Sequence, residues 1–188
     1  MIDQPKLAHF LMLGQAAERA VATLETVAPS ESLLIGPVHD LARMLPEHLR
    51  DAIRASETYK LFFVFENYLR DFVVEVLSND TSVTWWDKLP KDLQDEIIKL
   101  EEAEETKSWM AIGSRDKSAL MTYPQLLRVV DHCWKESFED LVRDKALVQE
   151  ARSIAHLRNT TCHMTPVPKE EIERVRQTMR DWFRVVAP

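Results

Sequence analysis

Arg158 and His163, with Asn159 beside the arginine, make 152–163 the stretch richest in reactive side chains. If one helix runs through it, Arg152, His156, Asn159 and His163 fall at i, i+4, i+7 and i+11, a single polar stripe. The Asn159 amide would then be placed to orient the His163 imidazole and fix its tautomer. Arg158 lies about 140° round the helix from His163 at about 100° per residue, within reach of a long guanidinium. These residue types suit cleavage of a phosphodiester by a neighbouring hydroxyl. Histidine moves protons near neutral pH without tuning. Arginine never deprotonates and stabilises phosphorane oxygens bidentately. That chemistry needs no metal, and the sequence offers no HxxxH, no DxD and no carboxylate cluster near the motif; neither a metal nor a cofactor is expected. By periodicity alone a solvated or capping face suits the same residues better.

The elements that must position these groups read as helices. Only 3 glycines are present, against abundant Leu, Glu, Lys, Arg and Ala, and no run alternates like a strand. Apolar spacing predicts a helix over 7–27, then a proline-punctuated stretch to about Pro46 and a shorter helix near 46–56. The strongest helix runs from Ser56 to Leu77, its apolar residues nearly encircling it, which predicts a central position with neighbours all round. Its polar exceptions, Glu66 and Arg70, form one i,i+4 pair and suit either an ion pair or a place in a cleft. An acidic helix ends near Glu105, its EEAEE run reading as a solvated face, and 109–118 reads as a loop. Tyr123–Trp134 is helical, the pattern continues towards Arg158, Pro166 and Pro168 stop it, and 169–186 forms the last helix. The expectation is an all-α fold of about seven or eight helices.

Other candidates carry weaker signals. His9, His39, His48 and His132 have no partner at metal spacing. His156 shares the stripe, so a supporting role is open to it. Trp85 and Trp86 suit core packing better than base stacking. The two cysteines, Cys133 and Cys162, form no CxxC pair, which argues against a zinc cluster or a disulfide scaffold, and Cys162 reads as a small packing residue.

At 188 residues the chain fits one domain plus an extension. The net charge of −7 argues against coating nucleic acid by charge alone. The distribution is uneven: from Arg143 onwards nine basic residues meet six acidic ones, against fifteen and twenty-five before it. The start lacks the basic region of a secretory signal, and the apolar run 61–77 is interrupted by charges, so no membrane span and a cytoplasmic location are expected.

The sequence resembles the HEPN superfamily. Arg158-Asn159-Thr160-Thr161-Cys162-His163 looks like its R-N-x-x-x-H motif at a helix end, followed by a proline-containing turn and a final helix. The run from Tyr59 to Phe72, with Glu66-Asn67-Tyr68-Leu69-Arg70, is similar to the family's early core helix and its E-N-x-L-R signature. Trp85-Trp86 follows at a familiar distance, and Tyr123 to Phe138 looks like the segment before the motif helix. The pattern is closest to the subfamily of transcript-quality-control endoribonucleases and bacterial conflict-system proteins. The resemblance implies a HEPN domain over 56–188 and a helical extension over 1–55. It implies a helical bundle that dimerises through the motif cleft and cuts RNA without a metal, with a toxin, anti-phage or RNA-surveillance role. An antitoxin or regulatory partner fits the same picture, and so does a catalytically silent module that binds RNA or protein. Carried over by position, Arg158 would stabilise phosphate charge, His163 would be the acid/base and Asn159 would orient them, with Glu66 and Arg70 supporting.

Overall fold

The structure, a computed structural model, describes residues 12–17, 33–36, 39–41, 45–106 and 116–186. Two compact units divide the chain, Met1–Ser56 and Glu57–Pro188. Of the first unit, residues 12–17 are helical, and most of the helix expected over 7–27 lies outside the described residues. Strand β1 (Leu34–Gly36) pairs antiparallel with β2 (His39–Asp40), where the sequence showed only proline punctuation. This ladder is too short to leave an alternating pattern, and it is closed locally by Leu33 N–H donating to the Asp40 carboxylate at 3.0 Å.

Helix α1 covers Pro46–Ser78 without a break, where two helices meeting at Ser56 were expected. No glycine or proline interrupts it after its first residue, and the Ser56 hydroxyl donates back to the Ile53 carbonyl at 2.7 Å instead of capping a new start. The second unit continues with α2 (Lys91–Glu105), a 3₁₀ turn (Lys117–Leu120) and α3 (Tyr123–His132). A π-helical turn (Trp134–Phe138) leads into α4 (Glu139–Val142), α5 (Lys145–Ser153), α6 (Ala155–Cys162) and α7 (Lys169–Val186). The all-α class holds for this unit, with seven helices from α1 onwards among the described residues. Residues 107–115, most of the expected loop, lie outside the described residues. Residues 102–105 of the acidic run are exposed, as a solvated face requires.

The core forms on one stripe of α1. Phe62, Phe65, Leu69, Val73 and Leu77 are all buried, at steps of three and four residues. Phe65 meets Trp182 of α7 edge-on at 5.8 Å and Tyr123 of α3 at 5.7 Å, while Phe72 meets Phe138 of the π turn at 5.6 Å. Burying such rings supplies about 1.5–3 kcal/mol each before the entropy of ordering them. The opposite expectation, an α1 covered all round, fails: Tyr59, Phe63 and Val64 are each more than half exposed. They stand off the buried stripe, and no helix among the described residues covers them.

Helix starts and stops are chemically specified. Thr122 and Gln125 form a capping box ahead of α3, with Pro124 in its first turn. The Lys88 ammonium donates to the Leu77 carbonyl at 2.7 Å, satisfying an orphan acceptor at the end of α1. Trp85 and Trp86 sit in a turn, partly buried against the core, with rings 5.8 Å apart and the Lys117 ammonium 4.6 Å from the Trp86 ring centre. Among the described residues no helix is long and apolar enough to cross a membrane.

Candidate functional site

The helix through the motif is interrupted. Ile154, at φ −89° and ψ 0°, separates α5 from α6, so 152–163 is two short helices at a kink rather than one rod. Ile154 is fully buried in the core at this kink. The polar stripe is therefore divided. Arg152 pairs with Asp131 of α3 at 3.3 Å, beside Lys145 at 2.7 Å on the same carboxylate. Those two cations hold Asp131 below the ordinary carboxylate range, with the Lys145 hydrogen bond the largest cause. His156 sends Nδ1–H to the Ser153 carbonyl at 2.9 Å, closing the end of α5, and it does not line the cleft described below.

Arg158 stands on α6 and reaches α1. Its Nε donates to Glu66 Oε2 at 3.0 Å and its Nη2 to Oε1 at 3.2 Å, a two-pronged pair with both side chains mostly buried. Burial works against the charged guanidinium, but hydrogen bonding and the Glu66 charge outweigh it, and Arg158 is held above the ordinary arginine range. Its Nη1 has no partner among the described residues. Glu66 Oε1 also accepts from Arg70 Nη2 at 3.4 Å. Arg70 is fixed on further sides: its Nη1 donates to Asn67 at 2.6 Å, its Nε to the Ser118 carbonyl at 2.9 Å and its Nη2 to the Met121 carbonyl at 3.1 Å. One carboxylate thus lies between two guanidinium groups, leaving the cluster with a net positive charge.

These groups line a cleft of about 230 Å³ together with Tyr59, Phe63, Asn67 and Cys162. Sequence reasoning passed over Tyr59, Phe63 and Asn67 as site residues. Yet Tyr59, Phe63, Glu66 and Arg70 sit at i, i+4, i+7 and i+11 of one helix, the same spacing test that was applied to the motif. Beneath the cleft, Tyr123 sends its hydroxyl to the Ala151 carbonyl at 2.7 Å, an orphan acceptor near the end of α5. Burial, and secondarily the Glu66 charge, pushes the Tyr123 phenol far up, so it remains a neutral donor.

Asn159 and His163 are exposed and do not line this cleft, and among the described residues neither side chain has a hydrogen-bond partner. The expected amide-to-imidazole contact is not formed within the chain. His163 is instead placed by backbone. It caps α6 with its N–H on the Asn159 carbonyl at 3.0 Å, and Met164 turns the chain at φ 58°. Met164 N–H reaches Thr161 O at 3.1 Å and Thr165 N–H reaches Thr160 O at 3.2 Å, the paired bonds of a Schellman turn. Glycine normally takes that left-handed position. A methionine there leaves no sequence mark of the helix end, which is why the turn was read from the prolines alone.

Cys162 is exposed at the cleft and Cys133 is buried, its thiol pushed up by desolvation. Of the other histidines, His48 and His132 are exposed, and His9 lies outside the described residues. Among the described residues no group of three His, Cys, Asp or Glu side chains is arranged to hold a metal ion.

A family model described as Swt1-like HEPN matches residues 60–187. No curated protein and no solved structure matches the chain. The matched span contains the Glu66–Arg70 pair, the kinked motif helices and every lining residue of the cleft except Tyr59. HEPN domains are generally ribonucleases, so the match supports an RNA-directed, nuclease-type function. Covering well over half of the chain, it shows that this protein belongs to the Swt1-like HEPN family.

Proposed function

We propose that this chain is a metal-independent endoribonuclease that works as a homodimer, with 1–55 an extension outside the catalytic domain. The observation that carries the reading is Arg158. A guanidinium gripped on one edge by Glu66, with Nη1 unpaired among the described residues and lining a net-positive cleft, is prepared to receive a phosphate. His163 stands at the end of the same helix, exposed, and its side chain has no hydrogen-bond partner among the described residues.

In this mechanism the His163 imidazole takes the proton of a ribose 2′-hydroxyl. The 2′-oxygen bonds to the adjacent phosphorus, and Arg158 stabilises the charge on the non-bridging oxygens. The bond from phosphorus to the 5′-oxygen breaks, and that oxygen takes a proton from an imidazolium, of the same histidine or of His163 of the partner subunit. The products are a 2′,3′-cyclic phosphate and a free 5′-hydroxyl. Asn159, whose side chain is unpartnered among the described residues, would orient a catalytic group only once substrate or a second subunit is in place. His156 is assigned a structural role at the kink. A toxin, anti-phage or RNA-surveillance role, restrained by an antitoxin or regulatory partner, fits an endoribonuclease of this kind.

The test is cleavage of a mixed cellular RNA pool by purified protein in EDTA, beside Arg158→Ala and His163→Ala. Discrete fragments ending in cyclic phosphate from the parent alone are expected, and cleavage by either variant at the parental rate would refute the assigned roles. A second reading, a silent binding module, draws on two observations: Asn159 does not touch His163, and the net charge is −7. It predicts a folded protein that retains RNA or a protein partner and leaves every RNA intact.

A further inference from the structure

Tyr59 and Phe63 form the part of the cleft that the proposed chemistry leaves unused. Each has 56% of its surface in solvent, although both belong to the helix that organises the core. Their rings lie 5.9 Å apart at a tilt of 32°, forming one aromatic flank instead of two scattered exposures. Tyr59 and Arg158 line the same cleft. The remaining lining grades directly into Glu66, Asn67, Arg70 and Arg158.

That combination fits a particular ligand. An apolar helix from a partner would ask for apolar lining throughout, and a free anion would have no use for the rings. A planar group with π faces and polar edges satisfies both halves: its face stacks on the aromatic flank and its edge meets amide, carboxylate or guanidinium. Nucleobases have that shape. A duplex keeps base faces in its own stack, so only an unpaired base presents a face to the protein. Building on the assignment of Arg158 as the phosphate-binding group, we propose that Tyr59 and Phe63 are a stacking wall for one unpaired base of a single-stranded RNA, adjacent to the phosphate held by Arg158. The pairing of wall and guanidinium places that base next to the scissile linkage, so the wall would also set which strand conformation is cut.

The probe is a short labelled single-stranded RNA carrying 2′-O-methyl riboses, which cannot be cleaved, beside an oligomer of equal length lacking bases. Binding is followed by fluorescence anisotropy for the parent, Tyr59→Leu, Phe63→Leu and Tyr59→Phe, with molecular mass by light scattering on each. Both leucine variants are expected to bind the base-containing oligomer about tenfold to a hundredfold more weakly. Tyr59→Phe should match the parent, and all four proteins should bind the abasic oligomer alike. The side chains are exposed, so these changes leave the core untouched.

Leucine variants that bind the base-containing oligomer like the parent would overturn the wall, as would a parent that binds no oligomer. A mass that falls together with binding would identify the patch as a subunit contact and overturn it as well. The nuclease reading fails separately. A parent whose binding depends on the wall but which cuts nothing keeps the base site and loses the catalysis. A parent that cuts RNA equally well with either leucine variant keeps the catalysis and loses the base site.

Discussion

Replacing Glu66 with glutamine tests whether one carboxylate organises the candidate site. Glu66 accepts from Arg158 through both oxygens, at 3.0 and 3.2 Å, and from Arg70 at 3.4 Å. Glutamine keeps the shape but supplies one oxygen and an amide N–H₂, so in either orientation a donor faces a guanidinium donor and the counter-charge is gone. At 3.0 Å and an effective dielectric constant near 20, the gross attraction to Arg158 is about 5 kcal/mol. Desolvation and side-chain ordering reduce this, and a charge-assisted hydrogen bond nets about 1.5–3 kcal/mol. Arg70 keeps Asn67 and two backbone carbonyls as acceptors, so the loss falls on Arg158. Glu66→Gln should therefore destabilise by about 2 kcal/mol, lowering Tm by roughly 5–10 °C for a domain of this size. RNA cleavage or binding should fall with it, because Arg158 is no longer held at the rim. Thermal unfolding of Glu66→Gln, Arg158→Gln and the double variant gives the coupling directly, expected at about 1–2 kcal/mol. A coupling near zero, or a Tm for Glu66→Gln within about 1 °C of the parent, would refute the reasoning.

Two further outcomes follow from the surrounding network. Tyr123→Phe removes the one side-chain donor among the described residues to the buried Ala151 carbonyl and should cost about 1–2 kcal/mol by denaturant titration. Because the phenol is a neutral donor throughout, that cost should not vary between pH 6 and 9 by more than about 0.3 kcal/mol; a clear fall within that range would show that the group ionises. Asp131, held low by Lys145 and Arg152, lends stability that is fully present above the unfolded carboxylate value and disappears as pH falls through its lower folded value. The parent should thus exceed Asp131→Asn in stability near neutrality and converge with it once the pH falls below the lowered folded value of Asp131, as followed by thermal unfolding; a constant difference down to the lowest pH would mean that the ion pair contributes nothing.

Much of this protein is legible without coordinates. Scarce glycine and the three-to-four spacing of Phe62, Phe65, Leu69, Val73 and Leu77 specify a helical core, because helix period and apolar burial are local and additive along the chain. The spacing of Arg158 to His163, with Glu66 and Arg70 on an earlier helix, marked the segments that meet. Tertiary structure decided the rest. The kink falls at Ile154, which is buried in the core, and no local spacing announces it. Which of the α1 aromatics are covered depends on where α3 and α7 pack, and that left Tyr59 and Phe63 in solvent beside the charged cluster. Above all, Arg158 and Glu66 stand 92 residues apart in sequence. Their pairing depends on the relative placement of α6 and α1, and periodicity, which reports only which residues share one helix face, carries no information about it.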